Sequence, residues 1–420
     1  MRMIMELVTG VNIHFIKSGK FKTNQIKVRF SAPLSEKTMA GRVLASRMIE
    51  TANQLYPTSQ QFREQLANLY GANFSTSVSK RGQMHYIDIH LSYVRDAFLS
   101  KKNVLTDQML ELLKVSLNAP LAENDRFDSE TFSVEKKNLI TELEAEIENH
   151  FYYAHQQLNH LFYDQADMKL SKYASVEHIK DEDEATAYQA LQDMLKSDRI
   201  DFFFMGDFNE LAVIEKIEKL HLQPRQLDVN LFYQQLFSNV VREGLEQRDI
   251  HQSILELGYH FPVRYGEREH FALIVLNGLL GAFSHSKLFT TIREKEGLAY
   301  TISSHFDIFS NFLRIYAGID RKNRTRTMTL MSRQINDLKR GKFTTEEINL
   351  TKEMIINAAK LSQDRPGTLL ERAYLQTVLG KQFLSIEDWI QAIEEVTKEE
   401  MTTVAKSLKL QSVYFMEGRE

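Results

Sequence analysis

The sequence predicts an α+β protein built from two similar domains in tandem. Three observations lead to this prediction: the chain has 420 residues, its halves show the same order of helices and paired strands, and each half contains a long charged helix that begins with capping residues. A chain of this length, 43% hydrophobic, can bury more than one core. We expect domains at residues 1–222 and 231–420, each a mostly antiparallel sheet packed with helices, with a connector at 224–230.

The first half alternates between patterns typical of strands and patterns typical of helices. Its predicted elements are strands at 12–16 and 25–30, helices at 37–55 and 59–69, a hairpin of 73–80 and 83–92 joined through Arg81 and Gly82, and a buried strand at 201–207. The sequence Leu-Tyr-Gly-Ala precedes the hairpin.

The second half repeats this order. Its predicted elements are helices near 268–280 and 287–295 and a strand pair at 300–306 and 311–318. Two helix starts, at 127–130 and 343–346, share a phenylalanine followed by hydroxyl and acidic residues suited to capping and to the first helical turn. The shared order predicts an internal duplication, although unrelated α+β domains also combine helices with hairpins.

Composition excludes several classes of function. The chain has no cysteine, which excludes disulfides, thiolate metal sites and cysteine nucleophiles. The net charge of -4, from 52 basic and 56 acidic residues, gives no electrostatic sign of nucleic-acid binding. Residues 1–8 are too short and too broken for a signal-peptide core, and no apolar run approaches the length of a membrane span. We therefore expect a soluble, cytoplasmic chain without a membrane or nucleic-acid partner.

One motif in the second half carries a family resemblance. Residues 288–300 read LFTTIREKEGLAY, which resembles the LF..lREk.gLaY signature of the pitrilysin-like peptidases, the insulinase and mitochondrial processing peptidase family. The resemblance implies that Arg293 and Tyr300 hold a peptide substrate beside a zinc ion, and both side chains are donors able to bind a carbonyl or an oxyanion. Without the surrounding motif, Arg293 would more simply pair with a glutamate and Tyr300 begin a strand. Nearby, His285 is expected to be a turn residue.

The same resemblance indicates what the first half lacks. Active members carry H-x-x-E-H on the first long helix, two zinc-binding histidines with a glutamate as general base. The matching positions here are Arg47, Glu50 and Thr51, so both histidines are replaced and only the glutamate is kept. A catalytic zinc needs about three protein ligands and a water. We therefore expect neither metal nor cofactor in this chain.

The third zinc ligand of the family is a glutamate at the end of an E-x6-E pair, which here is Glu135 and Glu142. Glu142 holds the ligand-equivalent position, and nearly two helical turns separate the pair, so both lie on one helix face. We expect Glu142 to pair with Arg47 or to be solvated rather than to bind metal. No other histidines rebuild a site. His150, His155 and His160 are five residues apart, so on a helix successive side chains are rotated by roughly 140° and cannot chelate a metal from one face.

Active short members of the family work as pairs of two-domain chains that close like a clamshell. The resemblance implies that this chain forms half of such a clamshell: a non-catalytic, substrate-binding subunit, inactive alone, whose partner is a homologous zinc-bearing chain with H-x-x-E-H. Peptides are expected to bind by adding a strand to a sheet edge. The alternatives are a non-enzymatic peptide- or protein-binding scaffold of the same fold and, more remotely, an autonomous peptidase with another metal site.

Among family members, the sequence most resembles small bacterial zinc-less proteins described as associated with elongation factor P modification. No residue indicates a link to that factor, and maturation of a peptide or bacteriocin fits the sequence equally well.

Overall fold

The structure is a computed structural model that describes residues 2–99 and 104–419. Its strands are β1 (Arg2–Val8), β2 (Val11–Lys17), β3 (Thr23–Pro33), β4 (Asn73–Arg81), β5 (Met84–Val94), β6 (Ala122–Glu123), β7 (Arg126–Phe127), β8 (Arg199–Gly206), β9 (Arg242–Gln247), β10 (Ser253–His260), β11 (Ala299–Asp307), β12 (Phe312–Ile319) and β13 (Lys409–Glu417).

The α-helices are α1 (Glu36–Thr51), α2 (Ser59–Asn68), α3 (Val104–Asn118), α4 (Ser129–Glu146), α5 (His150–Phe162), α6 (Ala166–Lys169), α7 (Val176–Asp181), α8 (Glu184–Ser197), α9 (Glu210–Glu218), α10 (Arg268–Asn277), α11 (Arg324–Lys339), α12 (Thr345–Ser362), α13 (Pro366–Leu379), α14 (Ile386–Glu394) and α15 (Lys398–Ser407). Two π-helical stretches are Gly278–Ala282 and Phe289–Lys295. Among the described helices, none is both long and apolar enough to cross a membrane.

The chain folds into two compact units that are not contiguous in sequence. Unit 1 comprises Met1–Ala145, Leu170–Asn230 and Asp364–Tyr374, and unit 2 comprises Glu146–Lys169, Leu231–Gln363 and Leu375–Glu420. Each half of the sequence thus gives one segment, 146–169 or 364–374, to the unit formed mainly by the other half. The predicted division into 1–222 and 231–420 does not include this exchange.

The two main sheets have the same topology. In unit 1 the strand order is β4-β5-β3-β8-β2-β1, and in unit 2 it is β11-β12-β10-β13-β9. One pair in each sheet is parallel, β2 with β8 and β13 with β9, and the other pairs are antiparallel. The hairpins β4–β5 and β11–β12 therefore occupy equivalent edges, as an internal duplication requires, and the predicted α+β class is confirmed. Strand β1 is an addition at the far edge of unit 1.

Helix α1 is fixed closely against α8, which positions the residues at its C-terminal end. The two helices approach where small residues meet: a Cβ at Gly41 would lie only 3.0 Å from the Cβ of Ala190. The α1 residues Val43, Leu44, Met48 and Ile49 are fully or almost fully buried. Since α1 ends at Thr51, its last turn carries the three positions that match the zinc motif.

Helix α4 begins with a side-chain cap, as its sequence predicts. Asp128 Oδ1 accepts hydrogen bonds from the Thr131 N–H (2.9 Å) and Thr131 Oγ1 (2.7 Å), which satisfies a donor left unpaired at the helix start. The helix then runs 18 residues without a break. This length puts Glu135 and Glu142 on one face, two turns apart.

Residues 364–374 cover a polar face of the unit 1 sheet. Strand β3 directs Lys27 and Arg29 to this face, and both are almost fully buried. Glu371 accepts from Arg29 Nη2 (2.9 Å), Arg81 Nη1 (2.5 Å) and Lys27 Nζ (3.5 Å). The ring of Tyr374 lies 4.4 Å from the Arg29 guanidinium carbon. A buried charge is tolerated when it is paired, so the segment is held by a charged network.

Candidate functional site

At the first zinc-ligand position, an ion pair replaces a metal ligand. Arg47 lies on α1 and donates to both carboxylate oxygens of Glu142 on α4, with 3.3 Å between Nη1 and Oε1 and a second contact between Nη2 and Oε2. The ion pair expected between these residues is therefore present. It is a two-point guanidinium–carboxylate contact, but the side chains are 28% and 54% exposed, and such pairs contribute about 0 to 1 kcal/mol.

The second zinc-ligand position is also occupied by an internal hydrogen bond. Thr51 is the last residue of α1, and its Oγ1 donates to Glu135 Oε1 over 3.0 Å. The two glutamates on one face of α4 thus each receive a donor from α1. The hydroxyl is engaged by a carboxylate that the family motif does not use as a zinc ligand.

Glu50, at the position of the family's general base, is bound to a neighbouring strand. Its Oε2 accepts from both the N–H (2.8 Å) and the Oγ1 (2.6 Å) of Thr76. Thr76 lies on β4, the edge strand of the unit 1 sheet. The carboxylate is therefore a hydrogen-bond acceptor for backbone and hydroxyl rather than a group beside a metal-bound water.

These residues do not fit a zinc ion. A guanidinium has no lone pair to give to a metal and repels it by its charge, so Arg47 cannot act as a ligand. Thr51 supplies only a neutral hydroxyl, which leaves Glu142 as the one ordinary ligand type of the three. Across residues 2–99 and 104–419, no three His, Asp or Glu side chains are grouped as a metal site.

The second predicted pair lies in unit 2, where Arg293 belongs to the π-helical stretch Phe289–Lys295. Its side chain is exposed, and the guanidinium carbon lies 4.7 Å from the centre of the Phe289 ring. This cation–π contact orients the guanidinium without neutralising its charge. π-helical turns are rare and occur often at functional sites.

Tyr300 lies at the start of β11, where the strand is irregular. Ala299 pairs with Ile319 and Thr301 with Gly318, so Tyr300 is an extra residue in the ladder, a β-bulge. The preceding turn needs Gly297, whose φ of +60° favours glycine. The Tyr300 side chain is 63% exposed, and its hydroxyl donates over 3.4 Å to Asp320 Oδ1. A bulge of this kind redirects a side chain out of the regular alternation.

The structure thus places the predicted residues Arg47, Glu50, Thr51 and Glu142 on α1 and α4 of unit 1, and it places Arg293 on a π-helical stretch and Tyr300 on the strand that follows in unit 2. Sequence reasoning missed Thr76 and Asp320 as partners, because neither lies in a motif. The bulge at Tyr300 was also missed, although Gly297 beside a strand start was a signal for irregular backbone. His285 lies in the predicted turn and shares a hydrogen bond of 2.8 Å with Thr351 Oγ1.

This chain is similar to several known proteins. A family model described as the peptidase M16 inactive domain matches residues 185–355. The probable inactive metalloprotease YmfF of Bacillus subtilis is 28% identical over 98% of this chain and 96% of its own length. A conserved protein from Enterococcus faecalis superimposes with a TM-score of 0.96 and 37% identity over 100% of this chain and 99% of its own.

A third match concerns the fold alone. The peptidase M16 inactive domain from Pseudomonas fluorescens has a TM-score of 0.80 at 14% identity, covering 100% of this chain and 98% of its own. The fold and the α1 site together define an inactive homologue of two-domain zinc peptidases. The chain belongs to the pitrilysin-like peptidase M16 family, as a zinc-less member.

Proposed function

We propose that this protein is the non-catalytic, substrate-binding subunit of a heterodimeric zinc metallopeptidase, whose partner chain carries zinc on H-x-x-E-H. One contrast carries the proposal. The zinc-ligand positions Arg47, Thr51 and Glu142 are closed by internal bonds, whereas Arg293 and Tyr300 remain exposed within an otherwise complete motif. Tyr300 has only a long hydrogen bond, and Arg293 makes no ion pair among the described residues.

In the proposed reaction, the metal-bound water and its general base come from the partner. This chain contributes positioned donors. The Arg293 guanidinium and the Tyr300 hydroxyl bind the carbonyl oxygen of the peptide and the negative charge that develops on it in the tetrahedral intermediate. Phe289 and the bulge at Tyr300 fix the directions of these two donors, so little reorganisation is needed when the charge develops.

Peptide binding is proposed at a terminal strand of the unit 1 sheet. Strand β4 ends the unit 1 sheet, so one row of its main-chain groups faces away from β5. An extended peptide adds to such an edge through main-chain hydrogen bonds, with little dependence on its sequence. The substrate class is therefore an unfolded or extended peptide, and the cytoplasm stays the predicted compartment.

A scaffold without a role in hydrolysis is the second candidate. The Tyr300–Asp320 hydrogen bond and the stacking of Arg293 on Phe289 are the observations that favour it, because they give both residues local structural contacts. The kinetic experiment below separates the two functions.

The test uses a homologous chain with H-x-x-E-H, sought first in a neighbouring reading frame, mixed with this chain. Peptide hydrolysis is expected only in the mixture. Arg293→Ala or Tyr300→Phe should lower kcat by about 100- to 1000-fold, the usual cost of losing one oxyanion donor. Complex formation, measured by size-exclusion chromatography, should be unchanged because the proposed contacts of both side chains are with the peptide and not with the partner chain.

Lys295→Ala is the matched control, since it removes another exposed cation from the same π-helical stretch and should leave kcat unchanged. A higher KM at constant kcat would mean that Arg293 and Tyr300 bind the ground state only. Unaltered kcat and KM in both variants would contradict the proposal in favour of the scaffold.

A further inference from the structure

The edge of β4 has a definite pattern of free and occupied main-chain groups. In an antiparallel pair, alternate residues direct their N–H and C=O groups toward the neighbouring strand or away from it. The Thr76 N–H bonds to Glu50 and not to β5, so Thr76 faces away. By the same alternation, Phe74 and Val78 direct their main-chain groups to the open side. These three residues form the outer edge of β4.

Glu50 occupies the centre of this outer edge. A single carboxylate oxygen, Oε2, takes both the N–H and the hydroxyl of Thr76, at 2.8 and 2.6 Å. A peptide strand pairing across the edge needs the same N–H for one of its carbonyl oxygens. The Glu50 carboxylate and the peptide carbonyl therefore compete for one donor.

We propose that Glu50 is a built-in competitor that keeps the β4 edge closed, and that an extended peptide pairs across Thr76 only after Glu50 is displaced. This inference rests on the proposed peptide-binding function. A residue that active relatives use as a base here controls access to the peptide-binding edge.

For a single hydrogen bond to the Thr76 N–H, Glu50 is favoured over a peptide carbonyl, since hydrogen bonds to a carboxylate are roughly twice as strong as those to a neutral carbonyl. Displacement is nevertheless feasible because Glu50 is only half-buried. Peptides that form several main-chain bonds along the edge can therefore replace the two hydrogen bonds that Glu50 accepts from Thr76.

The experiment measures binding to the full, isolated chain. The probe is a fluorescein-labelled 15-residue peptide of alternating threonine and lysine, and its binding is measured by fluorescence anisotropy. Glu50→Ala should bind this peptide about tenfold more tightly than the wild type, because a charge-assisted competitor is lost. Glu50→Gln keeps an acceptor for the Thr76 N–H and should stay closer to the wild type than Glu50→Ala.

Glu130→Ala is the charge control, because it removes an exposed carboxylate from α4, and it should not change binding. Amide hydrogen exchange locates the bound peptide: peptide should protect the amides of Phe74, Thr76 and Val78 in Glu50→Ala. Equal affinities of wild type and Glu50→Ala, or protection elsewhere, would overturn the inference and leave the proposed function standing. Absence of peptide binding in every variant would overturn both.

Discussion

Arg47 and Thr51 differ from zinc ligands only in their side chains, since the backbone that carries them remains a regular helix facing α4. The wild-type chain should hold no stoichiometric zinc after dialysis, because a guanidinium and an engaged hydroxyl are poor ligands. The double variant Arg47→His and Thr51→His should bind about one zinc per chain, with Glu142 as third ligand. Elemental analysis of the purified proteins measures both outcomes.

Glu142→Ala in the double variant should abolish that zinc. If the wild type itself bound about one zinc per chain and lost it on Glu142→Ala, the description of α1 as a vacated zinc site would be wrong.

The sequence predicted contacts best for residues that belong to a family motif. Arg47 and Glu142 are 95 positions apart, and their contact was predictable because the family motif relates the two helices. Thr76, in contrast, belongs to no motif and bears no charge. Its bond with Glu50 depends on how close the last turn of α1 lies to β4, which local periodicity does not determine.

Among the elements, the segment 364–374 has the clearest energetic role. Burial alone would raise the pKa of Glu371, but Arg29, Arg81 and Lys27 outweigh it and lower the pKa to about 2. Glu371→Ala should destabilise unit 1 by about 2 kcal/mol, because Arg29, Lys27 and Arg81 each lose a charge-assisted contact, although Asp88 still pairs with Arg29 and Lys27. Urea unfolding measures this loss: the midpoint concentration of urea should fall while the dependence of the unfolding free energy on urea stays unchanged.

Asp364→Ala is the matched control in the same segment, since its pair with Lys20 is exposed on both sides and should contribute almost nothing. A similar loss in both variants would argue against the charged network.

The same charged network predicts that the free energy of unfolding depends on pH in the acid range. A carboxylate whose pKa is lowered by folding stabilises the protein above its unfolded pKa, and this stability is lost as the pH falls toward the folded value. For Glu371, the loss should occur between pH 4.5 and about 2. Glu371→Gln should remove this part of the pH profile, so a wild-type profile in that variant would contradict the assignment.

Strand β3 shows why the position of a strand was easier to predict than which of its faces is buried. Its alternation of apolar and polar residues correctly indicated a strand, and such alternation usually means one solvated face. In the structure the polar face is buried, because residues more than 300 positions later cover it. The π-helical turn at Arg293 was likewise predicted only as a helix, since the extra residue per turn leaves no mark in the pattern.

At the scale of the whole molecule, the exchange of segments predicts that the halves depend on each other. Residues 1–222 expressed alone would lack 364–374 and its Glu371, and residues 231–420 would lack α5. Each fragment should therefore fail to give cooperative unfolding, whereas co-expression should restore it. Near-ultraviolet circular dichroism and urea titration report the difference, and a cooperatively folded 1–222 fragment would refute the dependence.

The half-exposed setting of Arg47 and Thr51 also has an evolutionary consequence. Neither side chain lies in a core or in an exchanged segment, and the contacts that they make contribute little to folding. Substitutions at these two positions therefore affect zinc binding, and with it hydrolysis, but change the stability of the fold very little. The zinc ligands can therefore be lost by substitution without loss of the fold, whereas loss of either exchanged segment is expected to prevent folding.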